Sequence, residues 1–535
     1  MRNIFLISFY LIITFSVKCQ DSIHFYGDSL SVTSSRCVAE VYDKGYLISG
    51  VKNKGLSGFG WIQKTSINGN ALWNKSYGNI GKRNGFGEAL ITNDGGFICI
   101  GSSDKIYSNC MDPMVTKINA CGEKEWCKIY NSQNCNAGGL SITSAPNGGY
   151  MILVQDWIGN PDVWLFRLDE TGGVIWTQQY VSNPQVFWSP VGSSVIRTTD
   201  SCFLITGEAY SPDSVYPGNL LLKIFHIKVD NNGNLIYENP WGNNNGIISE
   251  GKFSIEDNHH NIYTVGDRPS GTSDVPCLFK TAFSGQPEFY HDLKGAVYIS
   301  GSSSINWFAD STIVMEAFWR SYMWGIDTLA LIKTNANGAI INQKSIFTDT
   351  SVNVYGGRSC ITYNDRVVLA GSLDVGDGNI KAYLVKLRND LSFDSVYLQP
   401  VNYDSLCPHP IISDTISLND CDVVTSVYDP KTEPEKSALR IFPNPAKGYI
   451  TIELPQFLVR NNKTPNFSTT TVYQQWDSAL LDIYDLFGKL VFRQQINQKT
   501  GKINPEISNW QSGMYVVRLI FKDQCLASGK FVIEK

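Results

Sequence analysis

Short runs of apolar and β-branched residues, separated by glycine-rich turns, recur along most of the chain. The phrase DGGFICIG, which ends at Gly101, is a typical example in which a tight turn precedes a strand-like run. Similar phrases end at Gly50, Val154 and Gly207, and weaker copies end at Gly266, Glu316 and Gly371. Because runs of this length bounded by turn residues are typical of strands, the pattern predicts β-hairpins.

A second phrase, typified by KTSINGNALW from Lys64 to Trp73, lies between these copies. Its turn glycine, replaced once by leucine, recurs at Gly69, Gly122, Gly172, Gly233, Gly285, Gly338 and Leu391. A basic residue stands five positions earlier in every copy, at Lys64, Lys117, Arg167, Lys228, Lys280, Lys333 and Lys386. Four positions later stand Trp73, Trp126, Trp176, Tyr237, Phe289, Asn342 and Ser395. The Asn-Gly dipeptide predicts a two-residue hairpin turn in which both central residues have positive φ.

The two phrases together define a repeat of about fifty residues that contains four antiparallel strands. Seven copies predict a seven-bladed β-propeller over residues 20–424, with six or eight blades as alternatives. The segment HFYGDS from His24 resembles the end of a fourth strand, so we expect it to complete the last blade. The recurring aromatic residue is expected to pack between blades, and the recurring basic residue to lie along a strand or cap a turn carbonyl.

Composition, charge and the first residues narrow the classes of function. The chain has 535 residues, a net charge of -5 and 17% charged residues, so it lacks the basic surface that nucleic-acid binding requires. Arg2 precedes an apolar run, and residues 1–19 are predicted to be a cleaved signal peptide. A lipoprotein signal at Cys19 is the alternative, although Lys18 stands where a small residue is expected. No later segment predicts a membrane-spanning helix.

The cysteine content indicates disulfide bonds. All but Cys19 of the 13 cysteines follow the predicted signal, in a chain expected to reach an oxidising compartment. Candidate pairs are Cys110 with Cys135, Cys121 with Cys127, and Cys407 with Cys421. Spacing alone does not fix the connectivity.

A four-stranded meander places its first and third turns at one end and its long loops at the other. We call these ends the tight-turn face and the long-loop face. Loops on a rigid scaffold commonly carry binding residues, so the long-loop face is the candidate ligand face. Its aromatic and basic candidates are Trp157, Phe187, Trp188, Phe318, Trp319, Arg320, Tyr322 and Trp324, with Asp156 and Glu316 nearby. They predict a glycan or protein ligand, the alternative being that these aromatics fold back as loop cores.

Candidate catalytic and metal-binding patterns are weak. His259 and His260 lie in a predicted blade turn, and the acidic segment from Asp374 to Asn379 lacks the register of a calcium loop. Asp156 and Asp162 could serve a glycosidase, but acidic loop residues are common. We therefore predict no catalytic residue, no metal and no cofactor.

The pattern changes after a charged linker over residues 425–437. Residues 438–535 contain strand-like runs with apolar alternation and turn glycines, which predict a small immunoglobulin-like β-sandwich. The segments FPNPAKG, IYDLFGKLV, SGMYVVRL and GKFVIEK resemble the type A C-terminal sorting domain of the type IX secretion system. The residues that carry the resemblance are Pro443, Asn444, Pro445, Gly448, Tyr484, Asp485, Gly488, Gly513 and Tyr515. Residues 456–479 form a longer insert than the family usually carries.

The resemblance implies export into the periplasm, recognition by the outer-membrane translocon and cleavage near Lys436 by a surface sortase. The repeats also resemble secreted bacterial propeller repeats of the pattern DGGFxxxG…KxDxxGxxxW. The sequence therefore favours an extracellular or cell-surface propeller that acts in binding or adhesion. The alternatives are a secreted polysaccharide hydrolase or lyase with its site on the long-loop face, and a structural surface-layer protein.

Overall fold

The computed structural model describes two compact units, which span residues Met1–Tyr428 and Asp429–Lys535. The described residues are 23–28, 31–104, 110–131, 137–156, 162–180, 188–212, 220–241, 250–270, 273–294, 299–320, 327–349, 353–374, 379–425, 439–453, 479–485, 489–496, 502–521 and 524–534. All regular structure within them is β-strand. The predicted signal peptide lies outside the described residues, as do residues 426–438, which hold most of the predicted linker.

Antiparallel sheets of four strands make up the first unit. Blade 1 contains β2 (Val32–Glu40), β3 (Tyr46–Lys54), β4 (Ser57–Thr65) and β5 (Ala71–Tyr77), and blade 2 contains β6 (Asn84–Ile91), β7 (Phe97–Asp104), β8 (Met111–Ile118) and β9 (Lys124–Tyr130). Blade 3 contains β10 (Ala137–Ser144), β11 (Tyr150–Asp156), β12 (Asp162–Leu168) and β13 (Val174–Tyr180), and blade 4 contains β14 (Trp188–Arg197), β15 (Phe203–Pro212), β16 (Leu220–Val229) and β17 (Leu235–Trp241). Blade 5 contains β18 (Glu250–Glu256), β19 (Ile262–Ser270), β20 (Ser273–Thr281) and β21 (Pro287–Asp292), and blade 6 contains β22 (Ile299–Trp307), β23 (Ile313–Arg320), β24 (Asp327–Thr334) and β25 (Ile340–Asp349). Blade 7 contains β26 (Asn353–Ile361), β27 (Val367–Asp374), β28 (Ile380–Leu387) and β1 (Ile23–Tyr26).

These sheets form a closed ring. The first strand of each blade contacts the first strand of the next blade, and β26 of blade 7 contacts β2 of blade 1. The N-terminal strand β1 pairs antiparallel with β28, so the start of the chain completes the last blade, as the sequence predicts. The prediction of an all-β propeller is confirmed, and the first strands line the axis of the ring.

The central strands of the blades are buried on both sides. All nine residues of β4 and all seven residues of β11 are buried. Each blade lies between two neighbours, so both of its faces contribute to a hydrophobic core. This arrangement explains why β11 begins with a continuous apolar run, from Tyr150 to Val154, and why the polar residues of β4 are buried together with its apolar ones.

The hairpin turns differ from the predicted two-residue type. In the turn from Ser66 to Asn70, the Ser66 N–H donates to the Asn70 carbonyl and the Gly69 N–H donates to the Ser66 carbonyl. Gly69 has a φ of +85°, whereas Asn68 is not in the positive-φ region. The prediction of two adjacent residues with positive φ was therefore wrong. The observed turn is a longer loop with a bulge, in which only the glycine adopts the left-handed conformation. This geometry also matches the twist of the two strands.

The recurring aromatic side chains pack between blades, as predicted. In blades 1 to 6 the turn glycine is covered by a side chain from the outer strand of the preceding blade. A Cβ atom added to Gly172 would lie 2.7 Å from the ring of Trp126, and one added to Gly122 would lie 3.1 Å from the ring of Trp73. Glycine is therefore favoured at this position both by its positive φ and by the close approach of the indole.

Replacing Gly172 by alanine is expected to lower the free energy of unfolding by roughly 2–3 kcal/mol, since it combines left-handed backbone strain with overpacking. Gly81 is a matched control, because its φ is +78° and a Cβ atom there would meet nothing within 4 Å. Gly81→Ala should therefore cost only about 1 kcal/mol from backbone strain. Chemical denaturation of both variants checks the difference. Equal losses would contradict the proposed contact with Trp126.

The recurring basic residues stabilise the tight-turn face. In four blades the lysine pairs with an aspartate of the first turn of its own blade: Lys64 with Asp43, Lys117 with Asp94, Lys228 with Asp200, and Lys333 with Asp310. In blade 3 the guanidinium of Arg167 donates instead to turn carbonyls, including that of Gly148 at 2.6 Å. These contacts confirm a structural role for the repeated basic residue.

Residues 393–425, which we call the strap, return from blade 7 to the outer edges of blades 1 and 2. Strand β29 (Thr415–Ile416) pairs parallel with β5, and β30 (Asp422–Val424) pairs parallel with β9. Disulfide bonds attach the strap to blade 2, between Cys121 and Cys407 and between Cys127 and Cys421. The predicted pairs Cys121–Cys127 and Cys407–Cys421 were therefore wrong, because ring closure brings the strap beside blade 2. Cys110 is disulfide-bonded, but Cys135 lies outside the described residues.

The second unit contains two sheets around one core. The first sheet holds β31 (Arg440–Phe442), β32 (Thr451–Glu453) and β35 (Lys502–Ile503), and the second holds β33 (Ala479–Asp485), β34 (Leu490–Ile496), β36 (Gly513–Phe521) and β37 (Gln524–Ile533). Ile452 and Ile503 of the first sheet share a buried cluster with Leu481, Val517 and Phe531 of the second. The unit is therefore a β-sandwich, and its immunoglobulin-like character stays a prediction. The long insert lies outside the described residues.

Candidate functional site at the axial channel

The first strands of the blades share one irregularity at the axis of the ring. Each of them contains a register shift against the second strand of its blade, which is the mark of a β-bulge. The residues skipped at this shared position are Arg36, Gly87, Glu88, Leu140, Ser193, Lys252, Ser303, Gly356 and Gly357, and a second shift in β14 skips Ser189 and Pro190. The bulges therefore place charged side chains on the channel wall.

The bulge also explains the glycine that ends the first sequence phrase. A Cβ atom on Gly101 would lie 1.9 Å from the carbonyl oxygen of Gly85, and a Cβ on Gly50 would lie 1.9 Å from that of Ser34. In blades 1 and 2 the bulge thus brings a backbone oxygen onto the second strand, where a side chain would clash, whereas Val154 takes the same register position in blade 3. In blade 6 this register position is occupied by Ala317, which faces Ser302. The sequence alignment on Glu316 was therefore displaced by one residue.

Arg358 crosses the channel. Its Nη1 atom contacts a carboxylate oxygen of Glu88, and its guanidinium carbon lies 4.2 Å from the ring centroid of Phe253. Arg358 belongs to blade 7, Glu88 to blade 2 and Phe253 to blade 5, so the three blades are not adjacent in the ring. The second Glu88 oxygen accepts a hydrogen bond from the Ile142 N–H at 3.1 Å. The lumen is therefore bridged by an ion pair with fixed partners.

Two further cations belong to the wall of the channel. Lys252 pairs with Glu208 at 3.1 Å, and both side chains are partly exposed. Arg36, in the middle of β2, is exposed. Within the described part of the chain, no carboxylate forms an ion pair with Arg36. Because the faces of β2 pack against neighbouring blades, the exposed side chain of Arg36 lies toward the lumen.

An exposed aromatic side chain lies near the same level. Tyr355 is 48% exposed and is the third residue of β26, three positions before Arg358. Strand β26 begins at the long-loop face, because it follows the connection from blade 6. The mouth of the channel on this face therefore combines the ring of Tyr355 with the guanidinium of Arg36 on the neighbouring strand β2.

The aromatic residues predicted from the sequence have a different placement where it is described. Trp319 and Phe318 are not in a loop, since both pair within strand β23. Trp319 is only 4% exposed and packs in the core shared by blades 5 and 6, with the ammonium of Lys294 4.4 Å from its ring centroid. Its ring is therefore not presented to solvent, because the strand extends through Arg320.

Of the six other predicted ligand residues, four lie outside the described part of the chain and two have only their backbone described. Trp157, Phe187, Tyr322 and Trp324 lie outside the described residues. Trp188 is the first residue of β14 and Arg320 the last of β23, but their side chains belong to the part of the chain that is not described. Their role in ligand binding stays a prediction.

The acidic residues near these segments are buried. Asp156 is 3% exposed and stands opposite Asp162 in the pairing of β11 with β12. Glu316 is fully buried, and it accepts hydrogen bonds from the Gly357 N–H at 3.2 Å and from the Ser304 hydroxyl at 3.4 Å. Burial raises the pKa of Glu316 to about 8, so its carboxyl group is protonated at neutral pH. It is therefore not placed to contact a ligand in the channel.

Two histidines occupy a turn on the tight-turn face, as predicted. The Nδ1 atom of His260 lies 2.6 Å from the Thr199 hydroxyl and 3.3 Å from Glu256. Both contacts use one ring nitrogen, so the imidazole cannot relay a proton between the hydroxyl and the carboxylate. A cavity of about 360 Å³ beside this turn is lined by Glu256, Asp257, His259, Trp307 and Phe308. Among the described residues, no group of three or more His, Cys, Asp or Glu side chains could hold a metal ion.

In the second unit, the motif around Asn444 attaches the first strand to the last. The Oδ1 atom of Asn444 accepts a hydrogen bond from the Val532 N–H at 2.9 Å, and the Ala446 N–H donates to the Val532 carbonyl at 2.8 Å. Pro443 and Pro445 flank Asn444 and both follow cis peptide bonds. The motif therefore fixes the chain against β37.

The remaining motif residues also make contacts within the sandwich. The Tyr515 hydroxyl donates to the Gln511 carbonyl at 2.9 Å, and its ring stacks on Phe531 at a centroid distance of 5.4 Å. Tyr484 donates to Asp482, and Asp485 accepts from the Lys489 N–H at 2.9 Å. Gly448 accepts a backbone hydrogen bond from Ile507, Gly513 begins β36, and Gly488 lies outside the described residues. The side chains of the motif thus stabilise the fold of this unit.

Comparison with solved structures finds distant similarity over most of the chain. An ulvan lyase that represents a new family of polysaccharide lyases has 8% sequence identity and a TM-score of 0.49, covering 68% of this chain and 96% of the lyase. The polysaccharide lyase Uly1 has 9% identity and a TM-score of 0.42, covering 71% and 94%. A europium-containing methanol dehydrogenase has 9% identity and a TM-score of 0.36, covering 65% and 85%. These similarities assign no ligand or activity to this chain.

The family comparison concerns the second unit. No curated protein matches the chain in sequence. The described residues contain no helix that is long and apolar enough to cross a membrane. Residues 440–534 match the family described as the secretion system C-terminal sorting domain, in agreement with the motifs quoted above. Residues 440–534 therefore belong to the C-terminal sorting domain family of the type IX secretion system, and the protein is secreted to the cell surface or the extracellular space.

Proposed function

We propose that this secreted protein is a binding or adhesion protein that recognises a glycan-containing ligand at the long-loop mouth of its axial channel. The observation that carries the proposal is the exposed ring of Tyr355 on the strand that also holds Arg358, next to the strand of Arg36. Aromatic rings bind the apolar faces of sugars, and nearby cations orient polar groups.

The rigidity of the channel wall supports recognition. Tyr355 and Arg36 lie on strands of a closed ring, so little conformational entropy is lost when a ligand orders them. The loop aromatics predicted from the sequence, including Trp157 and Trp324, would extend this surface on the same face. The translocon and the sortase implied by the sorting domain are the proposed partners during export.

The test is a glycan array followed by titration of the secreted protein with each saccharide that binds. Tyr355→Ala is expected to weaken binding at least tenfold, which corresponds to about 1.4 kcal/mol of lost stacking. Tyr363→Ala is the matched control, because Tyr363 is also exposed and lies in blade 7 but in a turn on the opposite face. It should bind as the wild type does.

Measurement of new reducing ends in the same samples distinguishes binding from the competing function. Binding without turnover supports the proposal. Release of oligosaccharides would overturn it and favour a polysaccharide hydrolase or lyase. Equal affinity of wild type and Tyr355→Ala would also contradict the proposed site.

A further inference from the structure

We propose that the ligand of this channel is anionic, with Arg36 as the anchor for a carboxylate or sulfate group of an acidic polysaccharide. The inference rests on the proposed function, and it adds the chemical class of the ligand. It depends on the charges of the inner strands, because those side chains reach the lumen from different blades.

The placement of Arg36 is fixed by its neighbours. Strand β2 lies between β26 and β6 in the ring of inner strands. Arg358 lies on β26 and Glu88 on β6, so their ion pair connects the two strands that flank β2 and lies in front of β2 on the channel side. The thiol of Cys37, the residue after Arg36, lies 3.7 Å from the carbonyl of Ala89, the residue after Glu88. Arg36 therefore shares one level of the channel with Arg358 and Glu88.

The charges at this level do not balance. Glu88 is already paired with Arg358, and Glu208 with Lys252, so Arg36 is left as an additional positive charge. A guanidinium is always protonated and binds carboxylate or sulfate oxygens through two parallel N–H groups. The low-dielectric protein wall around it strengthens this attraction in comparison with an open surface. An anionic group that enters the channel therefore meets a preformed partner.

Because the chain has a negative net charge, its attraction for an anionic ligand is confined to the channel. At a formal net charge of -5, the protein as a whole repels polyanions. Non-specific accumulation of an acidic polysaccharide is thus disfavoured, and selective binding has to arise at a positive site such as the channel.

Glu88 sets the strength of the site. Its carboxylate occupies the guanidinium of Arg358, which would otherwise be a second anion partner. Removing the charge of Glu88 should therefore release Arg358 toward the ligand and tighten the binding of anions. This opposite effect of two neighbouring substitutions is not expected from a merely structural role of either residue.

The experiment titrates the secreted protein with oligogalacturonate, a sulfated dextran oligosaccharide, a neutral dextran oligosaccharide of equal length, and inorganic sulfate. We expect both acidic oligosaccharides to bind at least tenfold more tightly than the neutral one. Arg36→Gln should weaken their binding at least tenfold, whereas Glu88→Gln should strengthen it several-fold. Lys44→Gln is the control, because it removes the same charge from an exposed position in a turn on the tight-turn face of the same blade.

The outcomes separate this inference from the proposed function. Equal binding of neutral and acidic saccharides that depends on Tyr355 but not on Arg36 would overturn the anionic ligand and leave the binding function in place. Absence of binding to every saccharide on the array would overturn both. Binding of sulfated but not carboxylated chains, or the reverse, supports the inference and identifies the anion. If Glu88→Gln does not fold, as judged by thermal unfolding, the comparison of Arg36→Gln with Arg36→Lys and Lys44→Gln decides the matter, since lysine should restore part of the affinity.

Discussion

Replacing Cys127 and Cys421 by alanine is expected to lower the free energy of unfolding by roughly 2–5 kcal/mol and to release the end of the strap from blade 2. This disulfide joins residues that are 294 positions apart in the sequence. Because the Cys121–Cys407 disulfide already joins the same two regions, this bond closes an additional loop of about 20 residues in the unfolded chain, for which the chain-entropy account gives roughly 3 kcal/mol. The strap also covers the edge of β9 through β30, so its release exposes an unpaired strand edge.

Chemical denaturation and limited proteolysis measure this effect. Removing the Cys121–Cys407 disulfide as well should cost more than the first removal, because only then does the loop of 286 positions open in the unfolded chain. Cys202→Ala is the control, since Cys202 is a free cysteine that is not fully buried. An unchanged denaturation midpoint together with an uncleaved strap would show that the strand pairs hold the strap without the disulfide.

Replacing Glu316 by glutamine is expected to abolish a loss of stability that the wild type shows as the pH rises. The pKa of the buried carboxyl is raised from 4.5 to about 8, so between these values the folded state holds a proton that the unfolded state has released. The contribution of Glu316 is therefore most favourable below pH 4.5, falls as the pH rises and is constant above about pH 8. Since one pKa unit corresponds to about 1.4 kcal/mol, the wild type should lose on the order of 5 kcal/mol that the variant retains.

The measurement is urea denaturation of both proteins at several values between pH 4 and pH 9. Asp94→Asn is the control with the opposite sign, because its contacts with Lys117, Thr92 and Gly96 lower the pKa of Asp94 to about 2 despite partial burial. The stabilising contribution of Asp94 is present above pH 4 and is lost as the pH falls toward 2, so over the measured range Asp94→Asn should lower the free energy of unfolding by a constant amount and leave the slope of the profile unchanged. Parallel profiles of wild type and Glu316→Gln above pH 5 would contradict the buried, protonated acid.

Some residues of the channel carry a signal that the sequence contains. Arg36 and Lys252 stand 14 positions before the phrase-ending glycines Gly50 and Gly266, within a strand that should otherwise be buried. A charged residue at a fixed offset in a repeated strand indicates a bulge or a channel position. The sequence prediction placed the ligand residues in the loops because these hold more tryptophan. Trp319 shows that a high tryptophan content does not by itself indicate an exposed binding residue. Its strand continues to Arg320, so its ring packs in the core.

The sequence by itself determined the strands, the positions of the turns, the packing of the recurring aromatic residue between blades and the sorting domain. These features follow from local preferences: apolar runs form strands, glycine adopts positive φ, and identical units bury identical faces. Only the tertiary structure decided the pairing of Cys127 with Cys421 and the contact of Arg358 with Glu88, which lies 270 residues away. Such contacts arise when the ring closes and brings its two ends together, and no local pattern records which distant residues then become neighbours.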